Sequence, residues 1–299
     1  MVVNYNFMAA IVNKYADFYL EVSKNVAGGD PIVTTYGIIG NRIALGSMNN
    51  PATGLPIMYN AAYTGINAKE MGDKFATKLY AIDANGKVFR GETVVSSIKD
   101  FLLGKLEDSK SIPEMKTMAV DMLKYGAAAQ VNFGYNADNL VTDILTEEQL
   151  AYATKDIPEA TDFFSTSGSG ANVNTNITVK SKVELNLSCI VLGLADTENV
   201  KCVITDSEGK VLAELATVNI GGVMYSATYD NVGAKQMRNV ITATFYDADG
   251  NAISKTVNWS VESYVAQIRI KETATANEIA VVNAMLTYGD SVAAYMAAK

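Results

Sequence analysis

"MLKYGAAAQ", Met122 to Gln130, is written again 163 residues later as "MLTYGDSVA", Met285 to Ala293. On a helix, Met122, Leu123 and Gly126 fall on one face and Tyr125 borders it, so the motif reads as a packing signature: large apolar groups beside a position small enough to admit another backbone. Two further blocks recur with it. "MYNAAYTGINAKEM" (Met58 to Met71) aligns without gaps on "MYSATYDNVGAKQM" (Met224 to Met237), with 7 identities in 14 columns at an offset of 166. "LYAIDANGKVFRGETVVSSIKDF" (Leu79 to Phe101) returns as "TFYDADGNAISKTVNWSVESY" (Thr244 to Tyr264), Asp83 matching Asp247 at an offset of 164, and from Ser97 and Ser260 onward the offset is 163. Three blocks in one order, with small insertions between them where loops tolerate them, mark an internal duplication.

Each unit reads as strands followed by helices. "SKVELNLSCIVLGL" (Ser181 to Leu194) places Val183, Leu185 and Leu187 on one face, and "VKCVITDSEGKVLAEL" and "NVITATFYDADGNAISKTVNWSV" each hold two apolar runs around a turn. In the first unit "DFYLEVSK", "PIVTTYGII" and "FATKLYAIDANGKVFRGETVV" play the same parts. Hairpins at this spacing predict an antiparallel sheet or sandwich. The period then switches. Ile98, Phe101, Leu102 and Leu106 lie at helical spacing behind Ser97 as N-cap, with Asp100 three residues on. A second helix is expected to open on Ser111-Ile112-Pro113-Glu114 as a capping box, with its apolar face at Met115, Met118, Met122, Leu123 and Gly126. Its counterpart opens on Thr275 and Glu278 and presents Ile279, Val282, Met285, Leu286 and Gly289.

Between the units, Thr146 and Gln149 cap one short helix, and "STSGSGANVNTN" (Ser165 to Asn176) reads as a Gly/Ser/Asn linker without side chains to anchor it. The expected fold is therefore α+β: two tandem copies of a small antiparallel β-sandwich, Ig-like, each followed by a C-terminal helical pair. The expected repeat units are 1–164 and 165–299.

Composition removes much of enzymology. The 299 residues hold no histidine, which takes away the commonest neutral-pH base and transition-metal ligand. A net charge of −8 opposes nucleic acid and anionic lipid, and the only arginines are Arg42, Arg90, Arg238 and Arg269. No run approaches the length of a membrane-spanning helix, and the N-terminal stretch lacks the basic and small-residue features of a signal peptide. The segment is expected to be soluble, without membrane insertion, and to be cut from a longer exported chain. Cys189 and Cys202 are too few for a disulfide scaffold and read as core thiols; in a hairpin turning near Ala195 and Asp196 they would face each other and could be bridged.

Several motifs reduce to structure. The D-x-[DN]-G stretches at Asp83 and Asp247 resemble the start of a calcium loop, but Lys87 and Asn251 follow directly and no closing Glu stands behind them, so a hairpin turn with a left-handed Gly explains both. Among 32 carboxylates some pair falls at glycosidase separation by accident, and no pair is singled out. Gly37, Gly40 and Gly46 lack the Gly-Lys-Ser/Thr of a phosphate loop. Tyr59, Tyr63, Tyr125 and their partners Tyr225, Tyr229 and Tyr288 recur in both units and read as scaffold; Trp259, aligned with Val95 or Ser96, reads as partly buried. Features confined to one unit are the better candidates for specificity, above all Tyr36 to Pro56, with Ile38, Ile39, Ile43 and Leu45 among glycines. No catalytic, cofactor-binding or metal-ligating residue is expected, and no ligand-binding residue is assigned.

The order Y-x-A-x-Y-x4-A-K-x-M, then D-x-[DN]-G, then S-[IV]-x-x-[FY] and "MLKYGAAAQVNFGYN", resembles tandem repeat modules of large surface proteins from Gram-positive gut commensals. That resemblance implies export, attachment to the cell wall or surface through other parts of the protein, and several modules in series. Some repeat proteins of this kind are similar to immunoglobulin-binding superantigens, which hold antibody variable domains outside the antigen site; others accompany carbohydrate-active domains. The expected function is a non-catalytic extracellular module that engages a host protein, an immunoglobulin being the concrete choice. The alternative is a carbohydrate-binding or spacer module of a glycan-processing surface protein, and a carboxylate-based glycosidase is the weakest reading.

Overall fold

The computed structural model describes residues 3–24, 32–37, 43–44, 52–54, 57–179, 183–194 and 196–299. They form two compact units, Met1–Glu107 and Asp108–Lys299. Both are built from antiparallel sheets and helices, so the class is α+β.

The first unit holds strands β1 (Val3–Met8), β2 (Asp17–Lys24), β3 (Ile32–Gly37), β4 (Ile43–Ala44), β5 (Met58–Tyr63), β6 (Phe75–Ile82), β7 (Val88–Arg90) and β8 (Val94–Ser96), with helices α1 (Ala9–Val12) and α2 (Ile98–Glu107). One sheet runs β1-β5-β4; the other runs β3-β2-β6-β7, with β8 also paired to β6. Strand alternation dictates the core: Phe18, Leu20 and Val22 of β2, Tyr59, Ala61 and Tyr63 of β5 and Phe75 of β6 are all buried. The Phe7 and Phe18 rings meet edge to face, and Tyr63 and Phe75 lie within ring contact. Ser97 Oγ accepts the amide of Asp100 at 3.0 Å as the expected N-cap of α2. Of the four apolar positions expected to be covered there, Ile98, Leu102 and Leu106 are buried and Phe101 is exposed.

The second unit opens with α3 (Pro113–Asn132) and α4 (Glu147–Leu150). Strands β9 (Ser165–Ser167), β10 (Val173–Val179), β11 (Val183–Ile190), β12 (Lys201–Asp206), β13 (Val211–Ala216), β14 (Val218–Ile220), β15 (Met224–Val232), β16 (Ile241–Tyr246) and β17 (Thr256–Trp259) follow, and then α5 (Val261–Ile270) and α6 (Ala276–Ala297). The sheets run β10-β11-β15-β14 and β13-β12-β16-β17-β9. Their inward rows, Leu185, Leu187, Cys189, Tyr225 and Ala227 on one and Cys202, Ile204, Ala243, Phe245 and Val257 on the other, are buried together as a sandwich core.

Three sequence expectations change. The Gly/Ser/Asn stretch is not a free linker: it supplies β9, paired with β17, and β10, paired with β11 over seven residues. Gly170 makes this possible, because a Cβ there would stand 2.7 Å from the carbonyl oxygen of Ile253. The capping box at Ser111 does not form. Pro113 forces the residue before it into extended backbone, so Ile112 (φ −67°, ψ 156°) becomes the N-cap and Ser111 is displaced one residue too far upstream. The runs carrying the cysteines do not make a hairpin, since β11 and β12 lie in different sheets. Both thiols are free and buried, and burial pushes Cys189 up to about 11 and Cys202 up to about 12, with Cys189 adding to the second shift.

The two compact units divide at 107/108, ahead of α3. The cause is α3, which lies along α6. Tyr125 stacks on Tyr288 at 6.0 Å and 13°, so the two copies of the opening motif meet each other. Beside them the buried carboxyl of Asp121 accepts from the Thr154 amide (3.0 Å), the Thr154 hydroxyl (2.6 Å) and the Ser291 hydroxyl. Residues 154–163 then run as a strap over the helices. Arg269 donates to the Pro158 carbonyl (2.7 Å) and Arg238 to that of Glu159 (3.1 Å), while the amides of Thr161 and Phe163 donate to Glu262 and Ser263. Arg238 is itself held by a bidentate pair to Asp290.

α6 is fixed at its other face by Gly289. A Cβ there would stand 2.7 Å from Met237 Sδ and 3.0 Å from the Ala234 carbonyl oxygen, in the 3-10 turn Ala234–Gln236. Gly289→Ala is expected to cost about 1–3 kcal/mol through overpacking, read as a lower midpoint in urea unfolding at unchanged slope.

Candidate functional site

Three loops of the form Asp-x-x-Gly-x join strand pairs, and in each the aspartate builds the turn. Asp83 Oδ1 accepts the amides of Asn85 and Lys87, Asp206 Oδ1 those of Glu208 and Lys210, and Asp247 Oδ1 those of Asp249 and Asn251, all at 2.8–3.1 Å. The glycines close the turns at φ +79°, +83° and +84°. These carboxylates are consumed by their own backbone. Among the described residues no group of three or more His, Cys, Asp or Glu could hold a metal ion.

The doubled tyrosines Tyr59, Tyr63, Tyr125, Tyr225 and Tyr229 are buried, and Tyr288 is half-buried. Burial holds the Tyr288 hydroxyl up to about 12 and pushes Tyr125 higher still. Trp259 is buried too. Most of the Tyr36 to Pro56 segment lies outside the described residues; of it Tyr36 and Gly37 end β3, and Ile43 and Ala44 form β4.

Two surface features of the second unit stand out instead, at opposite ends of β15. At its beginning, β14 and β11 flank it, with Ile220 opposite Met224 and Ile190 opposite Met224. Partners across antiparallel strands share a face, so Ile220, Met224 and Ile190 form one row on the outward side of the sheet. Ile220 is 51% and Ile190 57% exposed, and Val218 and Leu192 beside them are 64% and 78% exposed. β14 is the sheet's edge strand, so this aliphatic row ends in unpaired backbone among the described residues.

At the far end of β15 is a cavity of about 340 Å³. Tyr229, Ile241 and Trp259 face it from the sandwich; Asp206 and Ser207 come from the β12–β13 turn; and Asn231, Gln236 and Asn239 come from β15, the 3-10 turn and the loop that leads from it to β16. Burial, with Asp230 as a lesser cause, raises the Tyr229 hydroxyl above its ordinary value. In the first unit an ion pair stands at the aligned positions. Lys24 lies opposite Phe75 in β2 and β6 as Asp206 lies opposite Ile241 in β12 and β16, and Glu70 occupies the repeat column of Gln236. Lys24 and Glu70 form an ion pair at 2.6 Å, with 7% and 12% of their side chains exposed. Of the residues at these features the sequence marked Tyr229 as scaffold and Trp259 as partly buried, and none as ligand-binding. The signal for the cavity was disagreement between matched columns: Gly65 against Asn231, Asp73 against Asn239, and Val95 or Ser96 against Trp259.

No family model matches the chain, and no curated protein matches it. Among solved structures it is similar to a tetra-tandem repeat in the extending region of a large adhesion protein, at 11% identity and a TM-score of 0.22, covering 83% of this chain and 42% of that one. It is also similar to a marsupial T cell receptor (8% identity, 87% and 91% covered, TM-score 0.21) and to chicken CD1-1 (7% identity, 81% and 98% covered, TM-score 0.22). The chain thus spans less than half of the adhesion-protein fragment. TM-scores of this size do not establish a shared fold.

The Lys24–Glu70 pair sets two expectations. Lys24→Met, which strands a nearly dry carboxylate, is expected to cost about 3 kcal/mol, and adding Glu70→Leu to recover most of it. Burial disfavours the Glu70 anion, but the hydrogen bonds and charge of Lys24 and the Asn67 bonds outweigh it and hold its pKa below 4.5. A depressed carboxylate stabilises above its unfolded value and loses that contribution as pH falls through the folded one. Unfolding midpoints measured downward from pH 4.5 are therefore expected to drop less steeply in Glu70→Gln than in the parent.

Proposed function

We propose that the chain is a doubled, non-catalytic module of an exported surface protein that engages a host protein, with an immunoglobulin variable domain as the partner. Duplication is supported by matched strand order. β1-β5-β4 corresponds to β11-β15-β14, and β3-β2-β6 to β13-β12-β16, with β8 and β17 completing each second sheet. The carbonyl of Met71 accepts the Lys99 amide at 2.9 Å, and that of Met237 accepts the Glu262 amide at 3.0 Å, tying each 3-10 turn to the helix that follows. An Ig-like sandwich with appended helices, in tandem, is the reading these correspondences favour.

The observation that carries the binding reading is the aliphatic row Ile190, Met224 and Ile220, extended by Val218 and Leu192, on an open edge strand. Exposed apolar groups beside unpaired backbone suit a protein partner that can both cover them and extend the sheet. Repetition along a longer chain would add avidity through effective concentration. The resemblance to surface repeats of Gram-positive gut commensals, some similar to immunoglobulin-binding proteins, supplies the choice of partner and the extracellular location. The same resemblance and the absence of histidine support the non-catalytic part.

The test is biolayer interferometry of the full chain against human Fab and Fc fragments. Saturable binding to Fab that weakens at least tenfold in Ile220→Lys and Leu192→Asp, at unchanged melting temperature, is expected. Absence of binding to any immunoglobulin fragment overturns the partner, and binding untouched by both variants overturns the surface.

A further inference from the structure

We infer that the cavity at the end of β15 in the second unit is a binding site for one neutral sugar ring of a glycan. This is separate from the protein-binding surface: at about 3.4 Å per residue, the five residues from Met224 to Tyr229 set the row about 17 Å from the nearest wall of the cavity along β15.

The chemistry of the walls selects the ligand. Three carboxamides, Asn231, Gln236 and Asn239, and the Ser207 hydroxyl border the opening, and no lysine or arginine lines it. A carboxamide offers both a donor and an acceptor and so can bridge neighbouring hydroxyls, which a purely apolar or purely charged wall cannot do. The side chains of Asn231 and Asn239 are exposed and engage nothing among the described residues, whereas Gln236 Oε1 accepts the Gly233 amide at 3.0 Å. Anionic ligands are opposed. The one ionisable carboxyl present is that of Asp206, which already accepts two turn amides, and no cation faces it across the cavity. The volume lies in the range of small-molecule sites.

The floor is apolar. Tyr229, Ile241 and Trp259 are all buried, so the indole closes the site without offering an open face, and hydrogen bonds carry recognition there more than ring stacking does. Comparison with the first unit shows how the space arises. There a long cation–anion pair, Lys24 with Glu70, stands at the aligned positions. In the second unit the same pairing positions hold Asp206, turned onto its own hairpin, and Gln236, turned onto Gly233, and neither reaches across.

Trp259 is the only tryptophan in the chain, so its emission reports on this cavity alone. The experiment titrates the full chain with galactose, N-acetylglucosamine, N-acetylgalactosamine, mannose and fucose, following tryptophan fluorescence and sugar-observed saturation-transfer NMR, with a glycan array run in parallel. Expected is a saturable response to one of these sugars or to an array glycan ending in one, at least tenfold weaker in Asn231→Ala/Asn239→Ala and unchanged in Ile220→Lys. Both asparagines are exposed, so the double variant is expected to fold, checked by its melting temperature. No saturable response to any neutral sugar or array glycan, or a response that survives the double variant, overturns the proposal. Loss in Ile220→Lys alone overturns it too, since that places the sugar at the protein-binding row. Failure of immunoglobulin binding leaves each of these readouts unaffected.

Discussion

The buried carboxyl of Asp121 is the constraint on which the second unit's arrangement depends. It receives donors from α6 through Ser291 and from the strap through Thr154, while sitting on α3 itself, so three segments far apart in sequence converge on one acceptor. A buried carboxyl with its lone pairs filled is tolerable; the same group with donors removed is expensive, which penalises any arrangement that separates the two helices. Tyr125 against Tyr288 adds ring contact one turn away. Once the helices are joined, Arg238 and Arg269 can reach the strap carbonyls and hold residues 158–159 against α5 and α6.

What the sequence disclosed was whatever depends on neighbours a few residues apart. Val183, Leu185 and Leu187 alternate because a strand does, and Ser97 and Thr275 cap helices through amides three residues on. Partnership was less legible. Nothing local in α3 says that its tyrosine meets a second copy of the same motif, and nothing in the runs around Cys189 and Cys202 says that the chain crosses from one sheet to the other between them. Polar strands were hidden by their own composition. β9 has no buried side chain, and β10 buries Val173 and Ile177 among asparagines and threonines, so a stretch rich in Gly and Ser looked unanchored. At α3 two local rules conflicted, and the backbone restriction imposed by Pro113 prevailed over the capping preference of Ser111.

The candidate surfaces follow the same division. Residues common to the aligned blocks became interior, as Tyr59 and Tyr225 did. Variation between units is where space opens: an ion pair in one place becomes a turn aspartate and an amide in the other, and a cavity remains. A single chain read alone shows such columns only as mismatches, with no indication of which border a void.

The two core thiols carry a chemical consequence of their own. A thiol whose pKa has been driven to about 11 presents thiolate at roughly one part in ten thousand at neutral pH. Electrophiles and peroxides react with that anion, and neither sulfur has a path to solvent while the sandwich is closed. Alkylation of Cys189 or Cys202 would thus proceed at the pace at which the β-sheets part, making these two atoms an internal clock for the opening of the core.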